Sequence, residues 1–171
     1  MSIIAQRPVR PADSDVTAVD DGGAEVVVGT FWPTVKLRDL RLAARIAGDI
    51  TTSRLAHMAT ESVLHVADQL KDWRKLQEAE GIETLASVLF TADGDPVDMV
   101  NGESAKVYRF RRAVYSFTRA RVLEGYRDVS TTPKGDKDAE ALDRQIDDLW
   151  RDGRWSISDI REEPRIYSEL F

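Results

Sequence analysis

Large apolar residues are sparse at the start of the chain and then recur at helical spacing. Over residues 1–30, Pro8, Pro11 and the run Asp20-Asp21-Gly22-Gly23 interrupt any period, so this stretch reads as an extended N-terminal arm. Val26-Val27-Val28 is the one piece of it able to add a short strand to something else. Phe31 and Trp32, just before Pro33, are the first anchors of a packed body. Leu37, Leu40, Leu42 and Ile46 then predict a short helix over Val35–Ile46, stopped at Gly48. A Thr51-Thr52-Ser53 cap opens a second, long helix. Its stripe of Leu55, Ala59, Ser62/Val63, Val66, Leu70, Trp73 and Leu76 continues unbroken to Gly81. Ile82–Phe90 is an apolar connector, half helical at most, and Thr91–Gly102 reads as a loop from Asp93-Gly94-Asp95-Pro96 and Asn101-Gly102.

Two more long helices follow. The third spans about Glu103–Arg127 and has three faces when residues are placed 100° apart. Val107, Phe110, Val114 and Phe117 form one apolar face; Tyr108, Tyr115, Val122 and Tyr126 form a second; Lys106, Arg109, Arg112, Arg119 and Arg127 fill the remaining arc. Two apolar faces mean packing from two sides, one of which could be another subunit. After a loop with Pro133 and Gly135, the fourth helix runs from about Asp136 to Ile160. It carries Ala139, Leu142, Ile146, Leu149/Trp150, Gly153, Ile157 and Ile160 on its stripe, acids in its first turn, and Pro164 beyond its end. Gly153 falls inside it, where a better helix former is expected. The fold class is therefore all-α: a small bundle of about four helices, three of them long. The domain plan is an arm at 1–30, a helical body at 31–163 and a C-terminal tail at 164–171.

With 171 residues, 42% hydrophobic and 32% charged, the chain is the size of one soluble globular domain. No apolar run reaches the ~20 residues of a membrane span, and the first residues, MSIIAQRPVRPADSD, lack the apolar core of a secretory signal. The absence of cysteine removes disulfides, thiolate metal sites and thiol nucleophiles together. The net charge of −6 is unevenly distributed: residues 102–127 hold seven basic and two acidic residues, and 136–163 five basic and ten acidic. An acidic chain is a poor default for gripping nucleic acid. The basic arc of the third helix meets either DNA phosphates or the acidic fourth helix, in the same chain or a neighbour, and the opposed charges favour the helix.

Catalytic patterns are missing. There is no GxxxxGK[ST] or GxGxxG phosphate loop and no nucleophile elbow. His57, Glu61 and His65 share one helix face, but ligands at i and i+8 lie ~12 Å apart along a helix, too far for one ion, so they read as a solvated face. Asp143, Asp147, Asp148 and Asp152 are interleaved with Arg144, Arg151 and Arg154, as on a salt-bridged surface. No enzyme, cofactor or metal is expected. Trp155 stands about half a turn off the core stripe, where it serves either as a partner contact or as a ring lying on an arginine stem of its own subunit. Ile166, Tyr167 and Phe171 crowd a tail too short for a core of its own. With Tyr108, Tyr115, Tyr126, Arg109 and Arg112 they complete the candidate partner contacts.

Several pieces, in order and with matching spacing, resemble the head completion protein family of contractile-tailed temperate phages. They are Asn101-Gly-Glu-Ser104 with Lys106-Val107, Arg112-Ala-Val114, Tyr126-Arg127, Lys134-Gly-Asp-Lys137, Ile146-Asp-Asp-Leu-Trp-Arg-Asp152, Arg154-Trp155 and Pro164-Arg165. They cover about residues 98–166; the first half matches in layout. The resemblance implies a non-enzymatic virion protein at the head–tail junction, assembled in the bacterial host cytoplasm. It implies a homo-oligomeric ring following the portal's twelve-fold axis, with the portal protein and a tail-terminator or neck protein as partners. Packaged double-stranded DNA would pass through its channel and be retained with its help, the tail would dock on it, and no membrane would be involved. The competing reading is a small helical nucleic-acid-binding regulator that uses the basic face of helix 103–127.

Overall fold

The computed structural model describes residues 21–127 and 136–165. Among these residues the protein is mainly helical, with two small antiparallel strand pairs. Strand β1 (Glu25–Val26) pairs with β2 (Val35–Lys36), which leads into helix α1 (Leu37–Ala43). Helices α2 (Thr52–Gln69) and α3 (Lys71–Ala79) follow, then a single 3-10 turn at Leu85–Ser87. The hairpin β3 (Met99–Val100) and β4 (Glu103–Ser104) opens into α4 (Ala105–Arg127), and α5 (Asp136–Arg161) closes the body. Helix α4 is the central element, packed by α5 along one side and by α2 along another.

Several predicted boundaries change. The first helix is shorter at both ends, because Val35 and Lys36 are drawn into β2, where Val35 is fully buried opposite Val26. It stops at Ala44, well before Gly48. Arg45 takes a left-handed conformation (φ 51°), and the amides of Ile46 and Arg45 return to the carbonyls of Arg41 and Leu42. The second helix is two helices. At Leu70 the backbone leaves helical geometry (φ −97°, ψ 6°) while its side chain stays fully buried, so the stripe bends there. Beyond the bend Leu76 is exposed, and Gly81 ends α3 as predicted. The Thr91–Gly102 loop contains β3. Asn101 and Gly102, both at positive φ (52° and 82°), form the two-residue turn that right-twisted strands prefer. The bundle thus has five helices among the described residues, where about four were expected, and the strand pairs make it mainly α and not all-α.

The core gathers Phe31, Trp32, Leu37, Leu40, Leu55, Val63, Val66, Leu70, Phe110, Val114, Phe117, Ile157 and Ile160. Trp32 stacks on Phe110 with centroids 5.1 Å apart and planes 10° from parallel, and Phe31 meets Trp32 edge-on at 4.8 Å. The end of the segment read as an arm belongs to this body. Asp21 is 3% exposed, and its carboxylate accepts from Arg41 Nε (2.9 Å), Arg41 Nη2 (2.8 Å) and Thr52 Oγ1 (2.8 Å). Arg41, itself 1% exposed, also donates to the Ala47 carbonyl. Composition gives no warning of this tie, which rests on one acid and a two-residue strand.

Candidate assembly interface

Helices α4 and α5 run antiparallel, and the basic arc of α4 lies along the acids of α5. Lys106, 3% exposed, donates to the Ile160 carbonyl (2.8 Å) and to Glu162 Oε1 (2.5 Å), with its ammonium 5.5 Å from the centre of the Trp73 ring. Arg109 donates to the Asp159 carbonyl (3.0 Å) and lies 3.8 Å from its carboxylate; Arg112 stands 3.7 Å from Asp152. Arg119 turns the other way and donates to the Ala44 carbonyl. Of the predicted arc, then, Lys106, Arg109 and Arg112 meet the acidic helix of their own chain. Glu162 is held below the usual carboxylate range: burial alone would raise it, but the Lys106 ammonium and the Ala92 amide outweigh that cost. Asp159 is lowered chiefly by its hydrogen bonds from Arg165, against an opposing cost of burial.

Farther along the pair, shape replaces charge. Gly153 lies directly under Phe117: a Cβ at that position would stand 2.3 Å from Phe117 Cε1. This explains a glycine inside a continuous helix, since only a bare backbone admits the ring. The same ring touches Trp150 (5.0 Å) and His65 (4.9 Å, edge-on). His65 is therefore not on a solvated face, as its spacing with His57 and Glu61 predicts. It is half-buried among aromatics, and burial, then the Arg121 charge, pushes its pKa below the ordinary value. Trp150 donates from Nε1 to Glu124 Oε1 (2.7 Å) beneath the Arg121 guanidinium, 5.0 Å from the ring centre. Among the described residues no group of three or more His, Asp or Glu side chains is placed to hold a metal ion. Among them, too, no helix is long and apolar enough to cross a membrane.

The remaining candidate contacts spread over two surfaces. Trp155 is half-buried between two guanidiniums, Arg151 at 4.7 Å and Arg165 at 5.3 Å. Tyr108 is 55% exposed, and Tyr115 is half-buried against the core. Tyr126 donates to Asp49 Oδ2 at 2.6 Å; burial, then that carboxylate, pushes its phenol up to about 12. The side chain of Arg127, and Ile166, Tyr167 and Phe171, lie outside the described residues.

The sequence reading missed a broad groove of about 1040 Å³ between α3, the Ile82–Gly94 stretch and the end of α5. Around it Leu76, Leu89 and Phe90 are 65%, 50% and 63% exposed, and Asp72, Glu80, Glu162 and Glu163 line it together with Lys106 and Arg161, which pair with Glu162 and Glu163. The signal available was Leu76. It continues the stripe of α2 on paper, yet any break in the helix turns it outward.

No solved structure matches the chain. The curated "Head completion/stabilization protein" of Escherichia phage P2 is 32% identical over 169 residues, covering 96% of each chain. Residues 26–171 match the family described as "Phage head completion protein (GPL)". On that match, which takes in both the aromatic seam and the charged one, the chain belongs to the phage head completion protein family.

Proposed function

We propose that this structural phage protein forms a ring beneath the portal, helps keep the packaged genome inside the head, and offers the surface on which the tail docks. The observation that carries this reading is an exposed apolar groove on a body whose core is already closed. Phe110, Phe117, Leu55 and Leu70 are fully buried within one chain, yet Leu76, Leu89 and Phe90 stand open together. Grouped exposed apolar side chains mark contact surfaces, and a head-to-tail ring needs a different patch for each neighbour. The groove is chiefly apolar, and its acids outnumber the bases Lys106 and Arg161, which suits an apolar occupant with some positive charge. Residues 1–10 of an adjacent copy, with Ile3, Ile4, Arg7 and Arg10 and no acid, have that character. Lys106, Arg109 and Arg112 of the basic arc are engaged by α5 and the residues just after it, which counts against the nucleic-acid-binding reading.

The test is incorporation into phage particles. A Leu89→Glu, Phe90→Glu chain is expected to keep its helix content and thermal midpoint but to be lost from purified virions and from portal-bearing heads. Absence of the unaltered chain from virions, or full incorporation of the double variant, overturns the proposal.

A further inference from the structure

We propose that a second groove, between α1, α4 and α5, seats this chain's own residues Ile166–Phe171. The groove holds about 390 Å³. Ala44, Tyr115 and Leu149 give it an apolar lining, and Tyr108, more than half exposed, stands at one end. Arg111, Arg112 and Arg119 also line it, with no carboxylate among the described lining residues; Arg111 pairs with Glu103 and Arg112 with Asp152, outside the lining. Arg119 has no acid partner within ion-pair distance among the described residues; its hydrogen bond goes to the Ala44 carbonyl. The surface calls for an apolar strand carrying a negative charge. The sequence after Arg165 is Ile-Tyr-Ser-Glu-Leu-Phe: four large apolar residues, with Glu169 its one charged side chain.

Reach and direction agree. Arg165 is pinned to Asp159 by two hydrogen bonds, Nε to Oδ1 at 3.0 Å and Nη2 to Oδ2 at 2.8 Å. Asp159 is also the partner of Arg109, the neighbour of Tyr108 on α4, so the segment begins beside the Tyr108 end of the groove. Because α4 and α5 are antiparallel, a strand passing back along α5 from Asp159 toward Leu149 follows α4 from Tyr108 toward Arg119. That path is ~16 Å at the helical rise per residue, and six extended residues span ~20 Å. The same chain therefore reaches the far end without strain, and no second copy is required.

The inference stands apart from the ring reading and is tested on the isolated chain. Since the protein has no cysteine, Ser116→Cys with Leu170→Cys places a single pair. Under mild oxidation at low micromolar concentration, the expected result is a disulfide within one chain, seen as faster migration on a non-reducing gel. It should form at least ten times faster than in a Val27→Cys, Leu170→Cys control and slow several-fold when Glu169→Arg is added. As a second measurement, a chain stopped after Arg165 should show several-fold faster amide exchange over residues 108–119. Crosslinks that join only separate chains, a rate equal to the control, or unchanged exchange on removing the segment would each overturn the proposal.

Discussion

Near the start of α4, the contact with α5 is made by Lys106, Arg109 and Arg112 reaching Glu162, Asp159 and Asp152; two turns farther on, Phe117 rests on the backbone of Gly153 between Trp150 and His65. One pair of helices is thus fastened by charge at one end and by shape at the other. The charged end depends on protonation and tolerates changes of volume. The shape-fitted end rests on packing and is intolerant of added or lost atoms; its one titratable ring, His65, is held neutral to a lower pH than an ordinary histidine by its burial.

The largest effect is expected from Phe117→Ala, which empties the aromatic cluster and should lower unfolding free energy by about 3–5 kcal/mol in urea titration. Gly153→Ala tests the same contact from the other side. Its gain in helix propensity is ~1 kcal/mol, and the clash with a boxed-in ring should exceed it, for a net loss of about 1–3 kcal/mol. Combined with Phe117→Leu, the loss should fall short of the sum of the two, because the substitutions share one space. At the charged end, Glu162→Ala strands a buried ammonium with only the Ile160 carbonyl and should cost about 1.5–3 kcal/mol, whereas Lys106→Met, which removes the charge itself, should cost less.

Acid should separate the two ends. Asp159, Glu162 and Asp21, the last lowered chiefly by its hydrogen bonds from Arg41, all have folded-state pKa values below their unfolded ones. Their stabilisation is complete above the ordinary carboxylate pKa of ~4 and is lost as pH falls through the lowered values. The urea midpoint should decline in that range in the unaltered chain and in Gly153→Ala alike, with a shallower decline in Glu162→Ala. The smallest effect belongs to the Arg111–Glu103 pair, which is partly solvated on both sides: Glu103→Ala should cost no more than about 1 kcal/mol.

The long helices α4 and α5 were legible because their apolar stripes and turn residues agree, and the observed bounds differ from the predicted ones by about two residues or fewer. The buried face Val107, Phe110, Val114 and Phe117 was read from spacing alone. What spacing conceals is any event that preserves it. The bend at Leu70 keeps the stripe buried while redirecting everything after it. The two-residue strands are too short to show alternation, and the Asp21–Arg41 tie joins residues twenty positions apart with no local pattern. Gly153 looked like a weakness because its reason, the Phe117 ring, comes from another helix. The groove of Leu76, Leu89 and Phe90 is assembled by the same bend and was hidden with it.

The interruption at Leu70 also divides the molecule's mechanical response. Helix α3 has no fully buried residue of its own and leans on the body through Trp73, against Phe31 at 6.3 Å and over Lys106. The bend separates this outer section from the inner eighteen-residue helix, so among the described helices α3 is expected to open at the lowest free energy. A protease should therefore cut within Lys71–Ala79 before it reaches any other helix.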